Sequence, residues 1–398
     1  MNGLRAVALP MLVVLGCSSV ESGDVGTLAT DSAEVRILTA GATGRWREGE
    51  DWRLVQDLRI GMVDGPPEYT FNWIAALALG PGDTLFVLDG GDRTVTAYDP
   101  QGKFVRRFGR EGDGPGEYRA PGDMVVTRDG LLIYDWRPRR LTLLAWDGQV
   151  IRTAVVSQWA PFGSRLRMVD DTTFVMGLTG GHSAPPRPET DGRFWLVRFS
   201  TAGAVLDTLI GDEGSESVVR YGEGSVTVLG APFARGPCWD VAPDGRVAYG
   251  RGDAYVIALY RAAPDLRIAA SLRRTISPLE ATEEDRAAYR AAYQRPSFPA
   301  AARRRYAEIL ATVTYPATWP AYDDLWFDAV GRLWVSRPVH AADGIIPWDV
   351  FTPEGEYLGE VGFPRGLSIH LIGEHAVYGV LRDEFDVPSA VRYRIQRP

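Results

Sequence analysis

The chain has 398 residues with a formal net charge of −8, and 24% of its residues are charged. This acidic balance, without a basic run that resembles a nucleic-acid footprint, argues against a role in binding nucleic acid. The sequence contains 44 glycines and 27 prolines, which suit many tight turns, and helical periodicity is rare. Composition therefore favours an all-β protein built from repeats, a class that can exceed the usual domain length as one body.

The N-terminal segment has the pattern of a secretory signal that ends at a cysteine. Residues 6–15 are apolar and follow Arg5, and residues 12–16 (LVVLG) stand directly before Cys17 and resemble a bacterial lipobox. The apolar run is too short to span a membrane as a mature helix. We predict a lipoprotein signal peptide over residues 1–16 and lipidation of Cys17. An ordinary signal peptide, or a buried N-terminus with a chance cysteine, is the alternative.

Residues 17–51 are interpreted as a lipid anchor and flexible tether, because small and polar residues dominate the first part of this range. Within it, residues 34–38 are a candidate extra outer strand and residues 40–51 resemble a loop. With Cys17 lipidated, Cys238 would be the remaining thiol and no intramolecular disulfide could form. Cys238 begins a predicted innermost strand and is interpreted as a buried core residue rather than a nucleophile.

Residues 52–398 show one four-strand pattern six times. After the glycine-rich loop at residues 108–121 come four short β-runs joined by tight turns, at residues 124–127, 131–134, 141–146 and 150–155. A loop followed by four hairpin-linked strands is one blade of a β-propeller. An equivalent repeat precedes it at residues 74–108, and looser ones follow at residues 166–210, 238–275, 325–361 and 367–395. We predict an all-β, six-bladed β-propeller of four-stranded blades.

The last repeat offers only three strand-like runs, whereas a spare run at residues 54–60 stands before the first repeat. The economical interpretation is that the last blade is closed by this N-terminal strand, which leaves no open edge between the first and last blades.

Loop lengths divide the two faces of the predicted disc. We call the side of the short turns within blades the turn face. The loop face is the opposite side, with long connections at residues 177–193, 211–237, 277–323, 337–347 and 382–389. Long loops in a compact domain are usually functional or disordered, so we predict the ligand site on the loop face.

The longest connection, residues 277–323, is predicted to be a small helical insertion between blades four and five. One helix should start after Thr282 and end near Gln294, and a second should run from Pro299 to Val313. This pair is interpreted either as a lid or buttress over the mouth of the channel, or as a plug of the channel end.

The repeats resemble a known family. In the sequence that follows the glycine-rich loop, Asp135, Arg140 and Leu141 match the D, R and I of the NHL repeat, and Pro138 stands where asparagine is usual. More broadly, residues 54–395 are similar to bacterial six-bladed β-propeller lipoproteins. This resemblance implies the fold and a cell-envelope location facing the periplasm or exterior. It leaves function open, because such propellers include binding modules and enzymes.

Several residues on the predicted loop face could contact a ligand. An arginine follows the second strand of four blades, and a converging set could clamp a carboxylate, sulfate or phosphate. The alternative is that these arginines bridge blades or pair with nearby aspartates. The candidate ligand-binding residues are Arg137, Arg251, Arg337, Arg382, Asp253, Asp383, His182, His340, Trp136 and Trp348.

No cofactor is predicted. Gluconolactonase-like propellers hold a divalent cation with a carboxylate and asparagines, but the only asparagines here are Asn2 and Asn72. Amidating-lyase-like propellers hold zinc with several histidines, and only His182 and His340 fall on the loop face. We predict a binding module for an envelope protein, peptide or glycan, monomeric and attached to the membrane through its lipid alone. The alternatives are a metal-dependent hydrolase or lyase at the same mouth, and an accessory protein of an envelope complex.

Overall fold

The structure is a computed structural model, and it describes residues 27–32, 35–156, 163–182, 186–187, 190–222, 225–261 and 267–398. The predicted signal peptide, Cys17 and the first part of the predicted tether lie outside the described residues. Among the described residues, no helix has the length and apolar character needed to cross a membrane.

The described chain forms the predicted six-bladed β-propeller. Each blade contains four antiparallel strands, of which the first is innermost. The strands of the first three blades are Ile74–Leu79, Leu85–Asp89, Thr94–Tyr98 and Phe104–Phe108; Pro121–Thr127, Gly130–Asp135, Arg140–Leu144 and Val150–Val155; and Gly163–Met168, Thr173–Thr179, Arg193–Ser200 and Val205–Glu213. The glycine-rich loop between blades one and two contains a short parallel pair of strands, Arg110–Glu111 and Glu117–Tyr118.

The other three blades follow the same order. Their strands are Cys238–Val241, Arg246–Gly250, Val256–Arg261 and Arg267–Arg274; Asp324–Phe327, Leu333–Ser336, Ile345–Phe351 and Tyr357–Pro364; and Ser368–Ile372, Ala376–Arg382 and Pro388–Gln396 with the N-terminal strand Arg53–Ile60. Two single-turn 3-10 helices, Pro67–Tyr69 and Pro81–Asp83, lie in loops of the first blade region.

The predicted closure is confirmed. Arg53–Ile60 pairs antiparallel with Pro388–Gln396 and becomes the outer strand of blade six. The carboxylate of Asp57 accepts hydrogen bonds from Arg392 at 2.8 and 3.1 Å, which fixes the register across this junction between the two ends of the chain. Every blade then contacts two neighbours, so the ring is closed between its first and last blades.

The interpretation of residues 17–51 as a tether is wrong for residues 27–32 and 35–40. Thr27–Ser32 and Val35–Ala40 are antiparallel strands, and Val35–Ala40 pairs in parallel with Arg267–Arg274, which extends blade four to six strands. Leu38 is 3% exposed and belongs to the core shared by blades four and five, so burial of apolar surface explains the ordering. Of the candidate strand at residues 34–38, the described residues 35–38 lie within this pairing.

The two predicted helices are present, with shorter bounds: α1 is Glu283–Ala292 and α2 is Ala300–Leu310. Thr282 and Asp285 form the capping box that starts α1. The sequence did not predict the hairpin Ser217–Gly222 with Ser225–Gly230. Its Leu229 packs with Ile309 and Leu310 of α2, and Tyr289 of α1 donates to the Gly230 carbonyl at 2.6 Å. We call this hairpin and residues 277–323 together the cap.

Candidate functional site

The innermost strands surround a central channel, and four of them carry an irregularity at the same level. The strand pairing shifts by one residue between Ile74 and Ala76, Pro121 and Asp123, Ser164 and Leu166, and Ile369 and Leu371. The residues bypassed by these shifts are Ala75, Gly122, Arg165 and His370. A β-bulge turns its extra residue away from the normal alternation, and these four line one narrow part of the channel.

Arg165 crosses the channel from blade three to blade five. Its backbone has a φ of 45°, a left-handed conformation that is unusual for an arginine. Its guanidinium donates hydrogen bonds at 2.9 Å to the carbonyl oxygens of Trp239 and Leu325, and at 3.0 and 3.1 Å to the Asp324 carboxylate. Backbone strain of this kind persists only where surrounding contacts hold it, and it concentrates at functional sites.

Arg167 lies two residues further along the same strand. Its Nε donates to Asp240 Oδ1 at 2.7 Å and its Nη1 donates to the Leu166 carbonyl at 2.9 Å. The guanidinium carbons of Arg165 and Arg167 lie 4.2 and 4.7 Å from the ring of Trp326, within cation–π range. Among the described residues, Arg167 Nη2 has no hydrogen-bond partner, so one donor of this fixed group remains available to the channel.

Two cavities meet at this level of the channel. The cavity toward the turn face has a volume of about 530 Å³ and the cavity toward the loop face about 180 Å³. They share Leu77, Met124, Arg167, Trp326 and His370, so the cation–aromatic group stands between them. The walls of the larger cavity are mainly apolar and include Leu79, Val126, Met168, Val241, Phe327 and Ile372.

The channel shifts the pKa values of two groups that face it. Burial, assisted by the charges of Arg167 and Arg165, lowers the pKa of His370 to about 4, so this imidazole is neutral near pH 7. Burial raises the pKa of Asp123, although Arg167 and backbone hydrogen bonds oppose the shift. With Asp240 and Asp324 also present, two guanidiniums face three carboxyl groups in this part of the channel.

The position of His370 predicts a loss of stability in mild acid. Its folded-state pKa of about 4 lies below the ordinary value of 6.5, so the unfolded chain binds more protons between these pH values and stability falls as the pH drops through this window. The loss should not exceed about 3 kcal/mol. Urea unfolding of the wild type and the His370→Gln variant from neutral to acidic pH measures this contribution. Parallel stability curves for the two proteins would contradict the assignment.

The four predicted arginines do not share a partner in the described structure. Arg251 donates to the Gly214 carbonyl at 3.3 Å, in the connection between blades three and four. Arg382 donates to the carbonyl of Asp386 at 2.9 Å, within its own turn. Arg137 is exposed and lies over the neighbouring Trp136 ring at 5.7 Å. Local carbonyls and rings satisfy these side chains, which explains why they do not form a common clamp.

Arg337 and Asp253 do line one cavity on the loop face. This cavity of about 480 Å³ lies beneath residues 277–279 and 318–321 and also contacts Arg274. The cationic groups there are already engaged, because Arg274 and Arg337 both pair with the buried carboxylate of Asp349, at 2.5 and 3.2 Å. Asp253 lies 3.7 Å from Arg251. This agrees with the alternative from the sequence that these arginines pair with nearby aspartates.

The remaining predicted residues contact neighbouring groups of the fold. Asp383 Oδ1 accepts the backbone N–H groups of two residues of its own turn. His182 Nε2 lies 3.3 Å from Ser217 Oγ, and His340 Nδ1 lies 2.9 Å from Asp285 Oδ2. Trp348 is 5% exposed and packs on Phe363, with ring centroids 5.0 Å apart, so it is a blade-packing residue and not part of a mouth.

The interaction of His340 with Asp285 joins the cap to blade five. Burial would raise the pKa of Asp285, but hydrogen bonds from Thr282, His340 and Ala341 outweigh it and hold this pKa well below its usual range. Among the described residues, no group of three histidine, cysteine, aspartate or glutamate side chains is arranged to hold a metal ion. Cys238 is buried and free, as predicted, and burial raises the pKa of its thiol.

The sequence did not single out Arg165, Arg167, Asp123 or Trp326. Each lies within an innermost strand. A charged residue in such a short strand is the sequence feature that could have indicated a site in the channel. An arginine repeated at residues 165 and 167 in strand Gly163–Met168 is that kind of exception, because inner strands otherwise contribute apolar side chains to the packing between blades.

Comparisons with known proteins agree with the fold. Residues 78–149, which include parts of blades one and two, match the family model DUF5128, described as a 6-bladed beta-propeller. No curated protein matches the sequence significantly. The match supports the six-bladed propeller expected from the repeats. The NHL-like character and the lipid anchor remain predictions.

Solved structures with similar folds have low sequence identity. A Bacteroides fragilis protein described as exported is 12% identical, with a TM-score of 0.49 and coverage of 91% of this chain and 100% of that chain. A Bacteroides vulgatus member of the DUF4221 family is 10% identical, with a TM-score of 0.49 and coverage of 88% and 99%. A Xanthomonas campestris gluconolactonase is 12% identical, with a TM-score of 0.41 and coverage of 86% and 99%. The chain is a six-bladed β-propeller, and its function must follow from its own residues.

Proposed function

We propose that the protein is a cell-envelope binding protein that takes a small molecule into its central channel from the turn face. The ligand would have an apolar body and a head that accepts hydrogen bonds, such as a carboxylate or a carbonyl group. The observation that carries this proposal is the unpaired Arg167 Nη2 at the base of the apolar cavity of about 530 Å³. The lipobox-like segment before Cys17 supports the envelope location.

The apolar walls and the polar base have different roles in this proposal. Burial of an apolar body against Leu79, Val126 and Ile372 would supply affinity, and a few placed polar groups would fix its orientation. Arg167 is held in place by Asp240, so a head that binds there meets a pre-organised donor. His370 is neutral near pH 7 and lies on the same cavity, so its ring can donate or accept one hydrogen bond.

The binding role is the one expected from the sequence, but the site is on the opposite face. The cavity beneath the cap is the alternative on the loop face. Its arginines already share Asp349, and a ligand there would have to compete with a buried carboxylate. Arg274 Nε beneath the cap also has no hydrogen-bond partner among the described residues, but the walls of the channel cavity are mainly apolar and open toward the turn face. We therefore favour the channel.

A binding screen with a mouth-filling variant tests this proposal. Thermal unfolding would be measured with short- and medium-chain carboxylates, amides, sugars and dipeptides, and a ligand at a hundredfold excess over its dissociation constant should stabilise the fold by about 2.7 kcal/mol. Val126→Trp should abolish the stabilisation, because Val126 lines the cavity and is 37% exposed. Val105→Trp is the matched control, since Val105 is 46% exposed on the outer strand of blade one.

Two outcomes would contradict the proposal. Equal stabilisation of the wild type and Val126→Trp would place the ligand outside the channel. Failure of every compound with an accepting head, in a screen where other compounds stabilise the fold, would contradict the assigned ligand chemistry.

A further inference from the structure

His370 carries hydrogen-bonding atoms that no protein group uses in the described structure. Its side chain lines both cavities of the channel, and among the described residues neither ring nitrogen has a hydrogen-bond or ion-pair partner. The strand pairing shifts between Ile369 and Leu371, and a bulge of this kind re-aims the side chain that it bypasses. A polar ring at a channel wall without a protein partner is available to a ligand.

His370 and Arg167 approach the channel from opposite sides. Arg167 lies on the innermost strand of blade three, Gly163–Met168, and His370 lies on that of blade six, Ser368–Ile372. Blades three and six are opposite positions in a closed ring of six blades. Both side chains line the two cavities, so a ligand head at this level would lie between the free Arg167 Nη2 and the histidine ring.

The histidine ring offers one donor and one acceptor. Burial and the charges of the nearby arginines lower the pKa of His370 to about 4, so the ring is neutral near pH 7. A neutral imidazole has one N–H group and one nitrogen with a free lone pair, whereas a guanidinium can only donate. A head that accepts from Arg167 and donates to the histidine nitrogen needs a carbonyl oxygen and an N–H group.

The charge of the channel argues against a carboxylate head. Each guanidinium already pairs with an aspartate, Arg165 with Asp324 at 3.0 Å and Arg167 with Asp240 at 2.7 Å. Asp123 also lines the smaller cavity and has no ion-pair partner among the described residues. A carboxylate would add a negative charge without a free cation to pair with it, and it could not donate a hydrogen bond to the histidine. A neutral amide avoids both costs.

We propose that the ligand of the channel is a secondary amide with an apolar acyl chain. Its carbonyl oxygen would accept from Arg167 Nη2, its N–H group would donate to the free nitrogen of His370, and its chain would lie in the apolar cavity of about 530 Å³. The smaller cavity of about 180 Å³, lined by Asp123 and Ser368, would receive the group on the amide nitrogen. This assignment rests on the proposed function, which it narrows to one class of ligand.

Calorimetric titration of the protein with three hexanoyl compounds tests the assignment. N-methylhexanamide, methyl hexanoate and hexanoate share one chain, and they differ in the N–H group and in charge. The amide should bind at least about tenfold more tightly than the ester, because the ester leaves the nitrogen of His370 without a partner. Hexanoate should also bind more weakly than the amide, because its charge is not compensated.

Variants of His370 assign the preference to this side chain. His370→Phe keeps an aromatic ring without hydrogen-bonding atoms, and it should weaken binding of the amide about tenfold more than binding of the ester. His370→Gln again offers a donor and an acceptor and should recover part of the preference. His375→Phe is the matched control, because the His375 side chain is 75% exposed and lines neither cavity, so the preference should persist. Far-ultraviolet circular dichroism confirms that each variant is folded.

The outcomes separate this assignment from the proposed function. Tightest binding by hexanoate, or equal binding of the amide and the ester, would overturn the amide assignment. If Val126→Trp abolished that binding, the channel would still be the site and the proposed function would stand. A preference for the amide that persisted in His370→Phe would overturn the role of His370. Absence of binding by all three compounds would contradict the proposed ligand chemistry together with this assignment.

Discussion

Replacement of Asp349 by alanine is expected to lower the free energy of unfolding by about 3–5 kcal/mol, because it leaves buried cations without their counter-charge. The Asp349 side chain is fully buried. Its carboxylate accepts hydrogen bonds from the Tyr255 and Tyr357 hydroxyls at 2.7 and 3.2 Å, and it pairs with Arg274 and Arg337 at 2.5 and 3.2 Å. Two strands of blade five, the last strand of blade four and the loop residues Tyr255 and Arg337 thus depend on one side chain.

Urea unfolding of the variant measures this effect, and Asp253→Ala is its matched control. Asp253 also lies near two arginines, Arg235 and Arg251, but its side chain is 62% exposed and the distances are 3.9 and 3.7 Å. Its removal should cost less than about 1 kcal/mol. Similar losses for the two variants would mean that burial does not determine how much the Asp349 cluster contributes to the free energy of unfolding.

A second large effect is expected at Trp334, whose side chain fills the core between blades five and six. It is fully buried, and its indole Nε1 donates to Asp328 Oδ2 at 3.0 Å. Its ring lies 5.9 Å from that of Phe363 and 6.1 Å from that of Trp52. Trp334→Ala should therefore cost about 3–5 kcal/mol through the cavity it leaves.

Trp73→Ala is the comparison for this second prediction, because Trp73 is 44% exposed on the loop face. Its removal should change the free energy of unfolding by less than about 1 kcal/mol. If the two tryptophan variants unfolded at the same urea concentration, the inter-blade core would not be the main source of stability.

The propeller could be predicted because each blade repeats the same short-range signals. Tight turns such as Asp147-Gly148 separate short β-runs, and the count of these runs also revealed the strand that closes blade six. Strands at residues 27–40 were less visible, since Thr27–Ser32 alternates weakly and gains its place by pairing with Val35–Ala40 on blade four. The hairpin from Ser217 to Gly230 was missed because it belongs to no repeat.

The channel could not be predicted in the same way. A one-residue bulge at Arg165 or His370 leaves no clear mark in the sequence, yet it decides which side chains face the channel. The arginines chosen from the sequence were recognised by their position after the second strand. That position lies at the end of the strand or in the loop after it, where nearby carbonyls and carboxylates engage the side chains, as at Arg251 and Arg382.

The two faces of the propeller differ in structure. The cap and the N-terminal strands lie on the loop face, where Thr27 and Arg274 bring the start of the described chain to the base of the insertion. The larger cavity opens on the turn face, and Arg167 with Trp326 separates it from the smaller one. A ligand in the larger cavity would be reached from the side of the propeller away from the cap.

The most direct test of the binding proposal is a crystal structure of the protein with the compound that stabilises it most in the screen. The account predicts electron density in the cavity near the turn face, with the accepting head within hydrogen-bond distance of Arg167 Nη2 and the apolar body against Val126 and Ile372. Density beneath the cap, beside Arg274 and Arg337, with an empty channel would contradict it.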